Sequence, residues 1–201
     1  MLTIKNIVVF GGSKGIGKAI VDKLQDRNLY NVTDISRSSG YDLLSGDIPI
    51  LKSKIDVFIY SAGMGCFFEK GRNSRNIRDI IQLGLEIPII LTNQIDADHY
   101  IYIGSNSSYY GFEGSETYCA VKHGILGFAR ALRKSGKKVS VVSPGAVDTA
   151  FWKDSGREKP ELCQKPEDVA NAVMCCIEND AVIEELLITP LNDAKRTARN
   201  W

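Results

Sequence analysis

Three side chains near the middle of the sequence have the types and spacing of a proton-transfer site. Tyr118 and Lys122 stand four residues apart in Tyr118-Cys119-Ala120-Val121-Lys122, so on a helix they share one face. A phenol of ordinary pKa, about 10, is a poor acid or base at neutral pH, and a neighbouring ammonium improves it by favouring the phenolate. Ser105 ends an apolar run, Tyr102-Ile103-Gly104-Ser105, where a hydroxyl can donate to a carbonyl oxygen and stabilise charge developing there. The Tyr-Lys spacing alone is a weak signal, expected about 0.6 times by chance in this composition. Its weight comes from what surrounds it.

A second constellation is built for phosphate. Gly11-Gly12-Ser13-Lys14-Gly15-Ile16-Gly17 follows the apolar run ending at Phe10 and opens a helical pattern. Gly11 permits a tight turn, Gly15 lets backbone approach a phosphate, and Gly17 allows close packing of helix on strand. The helix start then offers unpaired amides to a pyrophosphate. Three glycines at this spacing arise by chance about 0.14 times per chain, which is suggestive without being decisive. An NAD site wants a carboxylate at the end of the next strand for the ribose 2′-hydroxyl. Here Arg37 occupies that place, Lys14 lies inside the loop, and Asp34 falls earlier, within the strand. Two cations favour a 2′-phosphate, hence NADP(H), although two solvated surface charges would look the same in sequence.

These residues need elements to hold them, and the pattern supplies strands alternating with helices. Strands are expected at Ile4 to Phe10, Tyr30 to Ser36, Ile55 to Ser61, Tyr100 to Gly104, Lys138 to Ser143 and Glu185 to Thr189. Helices are expected at Lys14 to Asn28, Ile77 to Gln94, Glu116 to Ser135 and Glu167 to Glu178. Such alternation predicts an α/β fold, a Rossmann-type doubly wound parallel sheet with helices on both faces, in one domain over 1–201. Sites of these sheets lie beyond the carboxyl ends of the strands, and Gly63, Ser105 and Pro144-Gly145 all follow strands. The Pro-Gly can turn backbone beneath a nicotinamide, with Thr149 near its carboxamide. Only Arg37 to Tyr41 separates the second strand from a weak element at Asp42, too little for a helix, so the second crossover is shortened.

Composition narrows the functional classes. The 201 residues carry 25 Lys plus Arg against 24 Asp plus Glu, a net charge of +1 that argues against nucleic acid or a membrane surface as partner. Five cysteines without a C-x-x-C pair, and two histidines, suggest neither a metal site nor a disulfide framework. No apolar run approaches the roughly 18 residues of a spanning helix. The expectation is a cytoplasmic protein with reduced thiols.

In their order these motifs resemble the short-chain dehydrogenase/reductase family, NAD(P)-dependent oxidoreductases, from about residue 5 to 178. The glycine loop, Asp42-Leu43, Ser61-Ala62-Gly63, Ser105, Tyr118 with Lys122, and Pro144-Gly145 carry the resemblance, with support from 122–128 and 165–170. It implies that Tyr118 exchanges a proton with the carbonyl or alcohol oxygen. Lys122 would lower its pKa and hold the nicotinamide ribose, and Ser105 would polarise the carbonyl. Gly11, Ser13, Gly15, Ile16 and Gly17 would line the pyrophosphate, and Asp42 and Leu43 the adenine. Ala62 and Gly63 would pack by the adenosine ribose, with Pro144, Gly145 and Val147 beside the nicotinamide and Thr149 at its carboxamide. It also implies a small carbonyl or alcohol substrate, a homodimer or homotetramer, and a lid over Phe151, Trp152 and the polar run 153–159. Met64, Cys66, Phe67, Tyr109, Tyr110 and Phe112 are candidates for an apolar substrate wall or for core.

The departures from the family are specific. Phe10 replaces a hydroxyl residue before the glycine loop, Tyr60-Ser61 replaces Asn-Asn, and Gly84 stands where a helix asparagine links the lysine to water. They motivate a rival reading, a nucleotide-binding protein with a regulatory or structural role and little turnover. A sugar-nucleotide epimerase is disfavoured because little chain remains for a sugar-nucleotide domain.

Overall fold

In the computed structural model, which describes residues 4–51, 53–65 and 74–190, the apolar runs pair into one six-stranded sheet. The strands are β1 (Lys5–Phe10), β2 (Tyr30–Ile35), β3 (Ile55–Tyr60), β4 (Ala97–Ile103), β5 (Lys138–Pro144) and β6 (Glu185–Ile188). All pair in parallel in the order β2-β1-β3-β4-β5-β6. The chain leaves β1 toward one edge and crosses back to β3 on its other side, which puts the switch point between β1 and β3. A cleft opens there beyond the carboxyl ends. No third strand forms near Asp42. Two 3₁₀ turns, Arg37–Ser39 and Leu43–Ser45, carry the shortened crossover, and Gly40 at φ 90° ends the first.

The helices are α1 (Gly15–Gln25), α2 (Ser74–Ile81), α3 (Ile87–Gln94), α4 (Glu116–Lys134), α5 (Phe151–Ser155) and α6 (Pro166–Glu178). One face of the sheet is covered by α1 and α6 through an aliphatic cluster including Ile7, Val9, Ile20, Leu24 and Val173. The other, under α3 and α4, is aromatic: Phe10, Phe58, Tyr60, Tyr100 and Tyr102 are all buried. Phe10 thus stands before the glycine loop as a core residue, its ring 5.1 Å from that of Phe58. Each such apolar side chain contributes about 1.5–3 kcal/mol when fully buried.

The expected single helix from Ile77 to Gln94 is interrupted by a π turn at Gln82–Glu86. Its cause lies in Pro88, which has no N–H to donate into the preceding turn. The N–H of Ile87 reaches back to the Gln82 carbonyl, and the Leu83 carbonyl is satisfied instead by the Tyr60 hydroxyl at 2.6 Å. Gly84 sits against α4 so closely that a Cβ there would lie 2.5 Å from Val121 Cγ1. A side chain at position 84 would require Val121 to move. α1 also ends earlier than periodicity suggests, at Gln25, with Asn28 at φ 50° turning the chain toward β2. No helix among the described residues is long and apolar enough to cross a membrane.

Candidate active site

The glycine loop is shaped by contacts that exclude side chains. Gly11 has φ 91°, and a Cβ there would lie 2.6 Å from the Ala62 nitrogen. At Gly17 the obstacle is the loop itself rather than the strand, because a Cβ would meet the Gly11 carbonyl oxygen at 2.0 Å. Gly15, at φ 56°, faces Thr149, bringing the loop after β1 against the loop after β5. Gly12 has a role not apparent in sequence. Its N–H donates to Asp34 Oδ1 at 2.9 Å, while the Ser36 hydroxyl donates to Asp34 Oδ2 at 2.7 Å. Both oxygens of the β2 carboxylate are therefore spent on the chain's own loop.

Opposite this loop lies the hydroxyl-rich end of β4. Ser105 caps the 3₁₀ turn Asn106–Ser108, with its Oγ accepting from the Ser107 N–H at 3.1 Å and donating to Asn106 Oδ1 at 3.1 Å. Tyr118 and Lys122 project from one face of α4, as their spacing requires. The Lys122 Nζ donates to the Ile103 carbonyl at 2.8 Å and stands 5.6 Å from the Tyr118 ring centroid. Burial pushes the Tyr118 pKa up to about 12, while a hydrogen bond with Ser105 pulls the other way. Burial likewise pushes Lys122 down to about 8. The expected lowering of the phenol by the lysine does not prevail in this arrangement, because burial outweighs it.

One cavity of about 1180 Å³ joins the two constellations. Its walls include every site residue expected from sequence. The glycine loop contributes Gly11, Ser13, Lys14, Gly15, Ile16 and Gly17; the shortened crossover contributes Arg37, Asp42 and Leu43. Ala62 and Gly63 follow β3, Ser105 follows β4, and Pro144, Gly145, Val147 and Thr149 follow β5. A Cβ on Gly63 would meet nothing within 4 Å, so this wall is open to a ligand. Asp42 is less free than expected, since its Oδ1 accepts the Leu44 N–H at 3.1 Å, and Leu43 is buried.

The aromatic candidates divide. Met64 and Phe112 line the cavity, whereas Tyr109 turns away and donates to Glu185 Oε2 at 3.0 Å. Tyr110 lies tilted beside Tyr109, ring centroids 6.4 Å apart, and is not part of the lining; Cys66 and Phe67 lie outside the described residues. Cys119 is buried in helix packing. Phe151 and Trp152 form α5 over the cleft, where the Phe151 and Tyr118 ring centroids are 5.6 Å apart. Sequence reasoning missed Asp154, which ion-pairs with Lys14 across the cleft. Its only sequence signal is membership of the polar run after Trp152.

A parallel sheet with a glycine loop at its switch point, facing a Ser-Tyr-Lys wall, defines the class as an α/β oxidoreductase. Residues 25–160 match the short chain dehydrogenase family, and the chain belongs to it. The matched segment carries the catalytic candidates and begins beyond the glycine loop. The chain is similar to carbonyl reductase family member 4 of Xenopus tropicalis, 27% identical with 92% of this chain and 95% of that protein covered. It is similar as well to 3-ketodihydrosphingosine reductase of Dictyostelium discoideum, 26% identical with 87% and 72% covered. Among solved structures, BdcA in complex with NADPH superposes with a TM-score of 0.77 at 21% identity, covering 94% of each chain. The closed form of serine dehydrogenase complexed with NADP+ gives 0.76 at 18% identity, covering 93% and 95%. At these identities the structures establish the fold.

Proposed function

We propose that this chain is an NADP(H)-preferring oxidoreductase that transfers hydride between the nicotinamide and a small carbonyl or alcohol substrate, working chiefly as a reductase. The observation that carries the reading is the meeting of Ser105, Tyr118 and Lys122 on one wall of the cavity floored by the glycine loop. When bound, the nicotinamide supplies or accepts the hydride. The chain supplies position and the proton. The Tyr118 hydroxyl, protonated at neutral pH, gives its proton to the carbonyl oxygen. The Ser105 hydroxyl orients that oxygen and stabilises the charge that develops on it. Lys122 holds its ammonium against the phenol ring and offers its remaining hydrogens to the ribose hydroxyls. Work in the direction of reduction is supported by the names of the reductases to which the chain is similar.

The NADP(H) preference rests on three side chains. Lys14 and Arg37 line the adenosine end of the cavity, and Asp34 is the one acid on β2, with both oxygens engaged by Gly12 and Ser36. Asp34 is not among the residues lining the cavity, so its carboxylate is not presented to a ribose 2′-hydroxyl there. The amides from Gly11 to Gly17 hold the pyrophosphate, Leu43 and Asp42 border the adenine, and Ala62 and Gly63 border its ribose. Pro144, Gly145, Val147 and Thr149 complete the nicotinamide end. The same reading takes 1–201 as one domain that acts in the cytoplasm as a homodimer or homotetramer.

A second reading, a nucleotide sensor with little turnover, is favoured by the exclusion of any side chain at Gly84 and by the seat of Phe151 against Tyr118. Titration with NADPH and NADH, then a screen of carbonyl compounds with the tighter cofactor, separates the two. Tight NADPH binding with turnover of a ketone or aldehyde is expected. A preference for NADH overturns the assignment of Lys14 and Arg37. Tight binding without turnover of any carbonyl favours the sensor.

A further inference from the structure

Lys14 and Asp154 form an ion pair that ties the glycine loop to α5, between residues 140 positions apart in the chain. Lys14, Arg37 and Asp154 all line the same cavity. The Asp154 carboxyl is held below the ordinary carboxylate range by its hydrogen bond from Lys14, by the charge of Lys14, and then by Lys153 and Arg37. Its carboxylate therefore stands in the field of both cations at the adenosine end. The same short helix reaches the catalytic wall through its first residue. A Cβ on Gly65 would fall 2.3 Å from the Phe151 ring, which also packs on Tyr118. The Trp152 Nε1–H donates to the Val147 carbonyl at 2.8 Å. α5 thus carries an anion and, three residues before it, an aromatic ring that packs on Tyr118.

We propose that Asp154 is a specificity-determining residue whose carboxylate takes the place of the cofactor's 2′-phosphate between Lys14 and Arg37, so that NADP(H), and not NAD(H), breaks the latch and frees α5. The inference rests on the reading of Lys14 and Arg37 as phosphate-binding residues. Both partners of the pair are about half exposed, at 55% and 53%, so solvent screens the pair and an incoming anion can replace it. A phosphate carries more charge than a carboxylate and offers more acceptor oxygens to a lysine and an arginine together. The 2′-phosphate therefore wins the exchange, but against a competitor already in place. NAD(H) carries nothing at that position and leaves the pair closed.

The test compares the full chain with Asp154→Asn, and with Asp98→Asn as a control that removes an exposed pair with Lys54 far from the cleft. NADPH and NADH affinities are measured by calorimetry, and hydrogen exchange is followed over residues 151–155. The expected result for Asp154→Asn is NADPH affinity tightened about threefold to tenfold, with NADH and the control changed by less than about twofold. In the same account NADPH raises exchange over 151–155 in the unaltered chain, and Asp154→Asn shows the raised exchange without cofactor. Unchanged or weaker NADPH binding by Asp154→Asn overturns the proposal, as does an equal gain for NADH. The underlying reading is judged separately, by the NADPH-to-NADH ratio of the unaltered chain. If that ratio favours NADH, both fall; if it favours NADPH while Asp154→Asn is silent, only the latch falls.

Discussion

At the carboxyl ends of the strands Ser105, Tyr118 and Lys122 gather on the wall of an open cavity, whereas toward the amino ends His99, Ser140 and Cys176 are sealed between β4, β5 and α6. Both regions bury ionisable groups, and burial shifts both in the direction that favours the neutral form. Tyr118 is pushed up to about 12 and Lys122 down to about 8, both beside a space that admits a ligand. His99 is pushed down to about 4 by burial, then by the charges of Lys138 and Lys5, and its Nε2 shares a hydrogen bond with Ser140 Oγ at 2.8 Å. The same physics leaves shifted groups beside an open cavity at one end and a sealed structural bond at the other. The difference is access.

Breaking the open end has the largest expected effect. Tyr118→Phe removes the proton donor and keeps the ring, so turnover should fall by roughly 10²–10⁴-fold while NADPH affinity and thermal stability stay close to the unaltered chain. Rate assays with parallel binding measurements check this, and residual turnover above a tenth of normal would remove Tyr118 from its role.

The closed end should instead report on stability. Below about pH 6.5 the unfolded chain protonates His99 while the folded chain resists until about pH 4. The unfolded state then binds more protons, so stability falls as pH drops through this window, by roughly 3 kcal/mol in all. Urea midpoints between pH 7 and 4 should show that loss, and His99→Gln should flatten it. An unchanged slope in the variant would place the acid sensitivity elsewhere.

The support beneath the open end gives smaller effects. Gly84→Ala forces a methyl to within 2.5 Å of Val121 Cγ1, beside Lys122, at a cost of about 1–3 kcal/mol that Val121→Ala should partly relieve. Tyr60→Phe strips the Leu83 carbonyl of its donor at a cost of about 1–2 kcal/mol, read as faster hydrogen exchange over the π turn. Recovery of neither signal would mean that the π turn is held by other contacts.

The strands were legible because most are short apolar runs ended by glycine, serine or proline, and all six appear within a few residues of their expected bounds. The cavity residues were legible because a parallel sheet confines them to the turns after strands. The π turn was not, since the apolar spacing from Ile77 to Gln94 reads as one helix and Pro88 fits a helix start as well as an interruption. Its explanation lies in a partner on another strand, Tyr60. Asp34 looked like a strand residue of no consequence until its two oxygens proved to be ligated by Gly12 and Ser36. Lys14 and Asp154 meet across the whole fold, a contact that no local pattern encodes.

The most direct test of the central claim follows the hydride itself. The chain is mixed with NADPH deuterated at the transferred position and a panel of ketones and aldehydes, and the alcohols are examined by mass spectrometry. Deuterium is expected in the product alcohol with the unaltered chain, accumulating roughly 10²–10⁴-fold more slowly with Tyr118→Phe loaded with the same cofactor. Saturated, unaltered protein that transfers no deuterium to any carbonyl would contradict it, leaving a protein that binds the nucleotide without using it.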